Sequence, residues 1–436
     1  MNRNPHSARP PMRQPARRPP SGSAGAAPRT PPMRRPSPGS VPKRGPERVI
    51  PPPAKKSSKI RQVRNKVKMF SVRAGIDLPF FLLVLTLVII GLIMLFSASY
   101  ASAYYNTGSS YTYILRQGIF AVIGVFFMVL ISYLDYHWLH KLPFPLLIGS
   151  WILLGIVLLM PPIANVHRWF QLFGFQFQPS EIAKFALVLW FAHYISLNFK
   201  KMHTVKVGIL PHLIVVGITC GLVVVEPHLS ATIILLSLAG VMLFVGGVKF
   251  RWFALVFTAV AVAAIMFFLF SDGYANVRVQ GWFDPFNRDF WQETWQTRNS
   301  LYAIGSGGWM GVGLGQSRQK YLWLPEPQND FIYAIICEEL GFVGAFIIML
   351  LFILLVWRGI VISLRAKDKF GMLLGVGLSL QVGLQAVFNI GVVTNTIPNT
   401  GISLPFFSYG GTSLCILLAQ MGVVLSISRT SNIEKT

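Results

Sequence analysis

Ten apolar runs long enough to cross a bilayer follow one another along the chain, at about residues 78–98, 117–134, 144–163, 181–196, 207–225, 229–248, 252–270, 331–357, 371–393 and 404–428. Short polar segments separate them. The pattern predicts an all-α polytopic membrane protein with ten transmembrane helices; the fourth run is short and depends on Glu181 lying near its end. An even count puts both termini on one side. The inner loops would then carry Lys141, Lys200, Lys201, Lys206, Lys249, Arg251, Arg358, Arg365, Lys367 and Lys369, while the short outer loops are poor in basic residues, Arg168 being one. No fixed-period repeat is visible. One segment breaks the rhythm: an outer loop of about 60 residues, 271–330, longer than a structureless connection usually is.

Composition removes whole classes of function. With 53% hydrophobic and 12% charged residues and a mean hydropathy of +0.54, the 436-residue chain is not a water-soluble enzyme. Cys220, Cys337 and Cys415 lie inside apolar runs with no spacing that suggests a disulfide framework or a zinc site. The net charge of +24 suggests nucleic acid at first sight, but its placement points elsewhere. Residues 1–69 hold 18 of the 39 basic residues and one acid, Glu47, in a stretch dense in Pro, Gly and Ser. They read as a disordered cytoplasmic tail without the interleaved aromatics of a single-strand binder, so no nucleic acid is expected. Its cluster from Lys55 to Lys68 suits anionic membrane lipids instead. The chain thus divides into this tail, a membrane domain at 70–429 and a short cytoplasmic end at 430–436.

Candidate chemistry gathers on the outer face. The long loop carries six of the chain's 15 acids and many aromatics, which form either a cap in the headgroup belt or a platform for a sugar or lipid. Its glycines at 305–317, GSGGWMGVGLGQS, lack the Lys and Ser/Thr of a P-loop, so flexible or close-packed backbone is the default. Past them, LPEPQNDFIYAIICEELGF places Asp330, Glu338 and Glu339 in or beside an apolar run, where each carboxylate needs a partner or a task. On a helix Glu338 lies about 80° and Glu339 about 180° from Asp330, so the three share no stripe. Asp330 is then a helix N-cap or a general base at the membrane surface, whereas Glu338 and Glu339 satisfy polar groups between helices or pair with a buried cation.

Cations are at hand. In QPSEIAK, Glu181 and Lys184 stand three apart and can pair with each other. Alternatively Lys184, with Arg168 upstream and Arg318 or Lys320 from the long loop, forms a cationic nest for a phosphate or pyrophosphate. In PNTGISLPFFSYGGTSL, Gly410 and Gly411 interrupt an apolar run beside Ser408, Tyr409, Thr412 and Ser413. These small residues are either helix-packing surface or part of a broken helix lining a polar cavity, which would make Ser408 a substrate contact.

QPSEIAK, GLGQSRQKYLWLPEPQNDFIYAIICEELGF and LPFFSYGGTSL, together with LFSAS at the end of the first run and RQGIF at 116–120, resemble in identity and order the SEDS family (shape, elongation, division and sporulation), which includes FtsW, RodA and SpoVE. The likeness spans about residues 76–428 and is strongest to the FtsW members. It implies a bacterial peptidoglycan glycosyltransferase of the cytoplasmic membrane that polymerises lipid II on the outer face during cell division, at the septum. It implies as partners a class B penicillin-binding protein transpeptidase and other divisome proteins. Asp330 matches the family's essential Asp, the inverting general base; Glu181 and Lys184 match its Glu and Lys in the fourth span. Arg168, Lys184, Arg318 and Lys320 are then candidates for the donor pyrophosphate, and a divalent cation, Mg or Mn, is a candidate cofactor with no visible ligand cluster. Three positions depart from the family: Asn329 replaces a common Thr, Pro227–His228 a frequent Pro-Asp, and NVHRW the Asn-Gly-Ala run around Arg168. A lipid II transporter and a non-catalytic scaffold for the transpeptidase are the rival readings.

Overall fold

The structure, a computed structural model, describes residues 75–161, 168–172, 175–252 and 280–431, with positions 254, 255, 258 and 262 besides. The basic tail, the C-terminal residues 432–436 and most of the seventh apolar run lie outside the described residues. Among the described residues, seven helices are long and apolar enough to cross a membrane. Two shorter apolar helices, α3 (Pro143–Leu158) and α7 (Leu229–Val245), coincide with the third and sixth predicted runs.

Helix α1 runs from Leu78 to Thr107, nine residues past its predicted end. Asp77 starts it by accepting a hydrogen bond from the Phe80 backbone N–H at 3.0 Å, and Arg358 grips the same carboxylate at 2.7 and 3.0 Å. No Gly or Pro follows the apolar run until Gly108, so the helix continues through Ser, Ala and Tyr into the interfacial layer. Helix α2 (Thr112–Tyr133) packs along α11 (Gly411–Ser431). The centre of the bundle is α4 (Pro179–Asn198) against α10 (Lys369–Val393), with α3, α7 and α9 (Ile332–Leu364) around them. The short α5 (Val205–Gly208) leads into α6 (Leu210–Val225), and α8 (Trp295–Gly307) lies in the long outer loop against α9.

The sequence reading has no strands, yet β1 (Phe170–Leu172) and β2 (Phe175–Phe177) form an antiparallel hairpin ahead of α4, with Phe170 opposite Phe177. Phe-Gln-Leu and Phe-Gln-Phe alternate with period two on either side of Gly174, a signal only three residues long in each arm. The tenth predicted run also needs correction. Residues 404–410 are not helical, and α11 begins only at Gly411, because the preceding segment turns back onto the loop before α9.

Helix α9 is interrupted at Gly341, whose φ of 67° lies outside the helical range. A break inside an apolar helix strands backbone groups that lipid cannot satisfy. The glycine-rich segment supplies the partners: Val312 and Gly313 N–H donate to the carbonyls of Glu338 and Glu339 at 2.9 and 3.1 Å, and Phe342 and Val343 N–H donate to Gly308 and Trp309 at 2.9 and 3.1 Å. At Gly311 a Cβ would collide with the Glu339 carbonyl. These glycines are close-packed backbone, the default reading of GSGGWMGVGLGQS.

Candidate active site

Where the β hairpin ends, Pro179 opens α4 and sets Glu181 in its first turn, favourable for a carboxylate at the positive end of a helix. One turn on, the Lys184 ammonium lies 2.8 Å from the Glu181 carboxylate and is 2% exposed. The local ion pair therefore exists. A second cation, Arg168, just before β1, donates from Nη2 to the carbonyl of Pro227 in the turn between α6 and α7. The next residue, His228, is buried beside the Gln178 amide, 3.4 Å away. Burial pushes its imidazole down to about 3, and the charges of Arg168 and Lys184 act in the same direction. Both cations thus bear on one turn.

Asp330 stands two residues before α9, and the helix's N-cap is Phe331 with no side-chain capping bond, so Asp330 does not serve as a cap. Its backbone is held firmly instead. The amide of buried Asn389 on α10 donates to the Asp330 carbonyl at 2.7 Å and to the Ile402 carbonyl at 2.6 Å. Tyr409 N–H donates to the Gln328 carbonyl at 2.9 Å. The Asp330 carboxylate, by contrast, accepts no hydrogen bond among the described residues. It lies against Gly401, where an added Cβ would come 2.9 Å from Oδ2. Loss of hydration raises the carboxyl to about 6, opposed by the positive charge of Arg168 and reinforced by Glu326.

Other candidate residues are placed differently. Lys320 is 2% exposed, and its ammonium donates to Gly315 O at 2.7 Å, Glu339 at 3.0 Å and Ser97 Oγ at 3.2 Å. All three N–H groups are engaged, which corrects the reading of Lys320 as a pyrophosphate ligand: it is the buried cation of Glu339. Glu338 accepts from the hydroxyl of Ser317 and from the backbone N–H of Arg318 at 2.9 Å, so the acid pair fastens residues 315–320 to α9. The Arg318 side chain is exposed and joins neither cluster. Ser408 is buried; its hydroxyl donates to the Asn329 carbonyl at 2.7 Å and accepts from Leu404 N–H at 2.7 Å. It steadies the residue beside Asp330 and has no proton left to offer a substrate.

Three neighbours of this site went unnoticed among the sequence candidates. Asn389 and Gly401 carry no signal of their own in the sequence. Glu226 does: it is a lone acid closing the apolar helix α6, the same signal that singles out Asp330. It is 1% exposed, and burial raises its carboxyl to about 8 against the pull of Arg168.

A family model described as "Cell cycle protein" (FTSW_RODA_SPOVE) matches residues 77–433. Stage V sporulation protein E of Bacillus subtilis (strain 168) is 38% identical over 371 residues, 83% of this chain and 100% of that protein. A protein named probable peptidoglycan glycosyltransferase FtsW, from Geobacter sp. (strain M18), is 35% identical over 362 residues, 81% of this chain and 97% of its own. Among solved structures, a chain from "Structural coordination of polymerization and crosslinking by a peptidoglycan synthase complex" matches with a TM-score of 0.69 at 26% identity, covering 82% of this chain and 99% of that one. The rod shape determining protein RodA of Thermus thermophilus matches with a TM-score of 0.61 at 26% identity, over 82% of this chain and 98% of its own.

Proposed function

Because the chain belongs to the FtsW, RodA and SpoVE family of multi-pass membrane proteins, we propose that it is a peptidoglycan glycosyltransferase, polymerising lipid II at the outer face of the bacterial cytoplasmic membrane with Asp330 as general base. The observation that carries this reading is the Asp330 carboxylate: its backbone is fixed, its oxygens accept no hydrogen bond among the described residues, and loss of hydration pushes it up to about 6 against the pull of Arg168. Above that pH it is ionised and open to accept a proton, a general base poised near working pH.

In this reading the 4-hydroxyl of the acceptor's N-acetylglucosamine gives its proton to Asp330 and attacks the anomeric carbon of the donor's N-acetylmuramic acid with inversion. Undecaprenyl pyrophosphate departs, and its developing charge is met by Arg168 and Lys184, with Glu181 orienting Lys184. Asn389, Ser408 and Gly401 act on Asp330 or its neighbours rather than on the sugar. No group of three His, Cys, Asp or Glu side chains is gathered among the described residues, so a Mg or Mn would have to be held by one or two carboxylates together with the substrate's pyrophosphate oxygens, where it would supply further positive charge.

Division at the septum is the biological setting we assign, with cytoplasmic termini, a class B penicillin-binding protein and other divisome proteins as partners, and the basic tail on anionic lipids. The FtsW relatives and the match to a chain of a peptidoglycan synthase complex support this assignment. The decisive experiment is glycan-chain formation from lipid II by the purified protein with its cognate penicillin-binding protein, transpeptidation blocked. Wild type should polymerise and well-folded Asp330→Asn should not. Polymer from both would remove Asp330 from catalysis. No polymer from either, despite a verified complex, would bring forward transport of lipid II or a scaffold role.

A further inference from the structure

The turn between α6 and α7 holds a second acid that the reaction above does not use. Glu226 is 1% exposed, and both of its carboxyl oxygens are buried without a hydrogen-bond partner among the described residues. A structural carboxyl so deeply buried is ordinarily bonded, because an orphaned polar group forfeits its hydration with nothing in return. Glu338 and Glu339 in the same protein show the ordinary case. Yet the site around Glu226 is rich in charge. Arg168 donates to the carbonyl of Pro227, the next residue, and its field reaches both Glu226 and Asp330. Lys184, paired with Glu181, bears on His228 two residues along. His228 is itself buried with Nδ1 unpartnered among the described residues, and Ser180 at the start of α4 is a third residue there with a buried polar atom, Oγ, that lacks a partner. A neutral acid carries one O–H donor, and what this donor lacks is an acceptor: a ligand oxygen bearing negative charge fits, since the charges of Arg168 and Lys184 bear on the same turn.

We propose that Glu226, as a neutral carboxylic acid, donates its O–H to the pyrophosphate oxygen that leaves the donor sugar. This rests on the glycosyltransferase reading and deepens it. The bond between acceptor O4 and donor C1 forms, the bond from C1 to the phosphate oxygen breaks, and its electron pair stays on that oxygen, where the Glu226 O–H and the two cations meet it. Asp330 takes the acceptor's proton. The two carboxyls would then divide the work as acid and base, separated by their environments, with Asp330 ionised and Glu226 protonated near neutral pH. The other charged and titratable groups around this turn are Arg168, Lys184, Glu181 and His228, with Glu326 beside Asp330.

The test is the pH dependence of lipid II polymerisation by the complex with its penicillin-binding protein. Wild type should give a bell, with an acid limb near 6 from Asp330 and an alkaline limb near 8 from Glu226. Glu226→Gln keeps an N–H donor that cannot ionise, so the activity it retains should lose the alkaline limb while keeping the acid one. Glu226→Leu should lower kcat about 100-fold at pH 7 with less than threefold change in donor KM. An alkaline limb that persists in Glu226→Gln, or wild-type kcat in Glu226→Leu, overturns the proposal. If Glu226→Leu does not fold, the alkaline limb of Glu226→Gln decides alone. Failure of the base reading looks different: Asp330→Asn then polymerises and the acid limb survives in it.

Discussion

Two pairs of carboxylates on the outer half of this protein have opposite surroundings. Glu338 and Glu339 are both buried, and donors fill them: Lys320, Ser97, and the 317–319 backbone and hydroxyl. Asp330, only eight residues before Glu338, has a fixed backbone, and among the described residues neither its oxygens nor those of Glu226, in the turn between α6 and α7, accept a hydrogen bond. The first pair ties the loop at 315–320 to α9. The second accepts no hydrogen bond among the described residues and lies in the field of Arg168, as the proposed acid and base require. Position beside an apolar run is common to all four, so what separates structure from chemistry is whether the lone pairs are filled.

Substitution can break that contrast, and the largest effect should come from the bare pair. Asp330→Asn removes the proposed base, and a loss of about 10²–10⁴-fold in polymerisation is expected with the thermal midpoint in detergent nearly unchanged. Lys320→Met should do the reverse. It leaves the Glu339 carboxylate buried without its cation, which costs about 3–5 kcal/mol when one member of such a pair is lost. The expected signature is a lower unfolding temperature, with activity per folded molecule kept. A Lys320→Met protein that is stable but inactive would return Lys320 to the substrate site.

A smaller effect should follow at Gly401. Its φ of 72° disfavours any side chain, and a Cβ there would press on Asp330 Oδ2 at 2.9 Å. Gly401→Ala should lower kcat about tenfold by displacing the carboxylate, since a shift of an ångström or less at the reacting group carries that cost. Unchanged kcat would mean that Asp330 has room to move without consequence.

The fold was legible wherever apolar length carries the signal, and the described helices fall on nine of the ten predicted runs. What escaped were features set by non-local contacts. The hairpin before α4 is too short to show a period, and the unwound 404–410 segment looks apolar enough for a helix because it packs into protein beside Asn329 rather than into lipid. The candidate site was half readable: charged residues in apolar surroundings flag themselves, so Asp330, Glu181 and Lys184 stand out. Lys320 stands out for the same reason and is misread, because one sequence cannot show that Glu339 lies across the helix break from it. Asn389 is the converse case, a polar residue whose function of holding the Asp330 carbonyl exists only in three dimensions.

The finest comparison is between the two arginines proposed for the pyrophosphate. Arg168 touches the turn that carries Glu226 and acts on Asp330, whereas the Arg318 side chain is exposed and its backbone N–H belongs to Glu338. Removing a positive charge beside a carboxyl makes ionisation harder, so Arg168→Gln should move Asp330 further above the ordinary carboxylate range. Asp330 would then be protonated over a wider acidic window, and, if it is the proposed base, the acid limb of kcat/KM should shift from about 6 to higher pH. Arg318→Gln should leave that limb in place, and change kcat/KM less than threefold, as an exposed charge in high dielectric does. Equal shifts from both substitutions would show that the long loop closes over the site during turnover and brings Arg318 to the same phosphate; a shift from neither would detach Arg168 from Asp330 altogether.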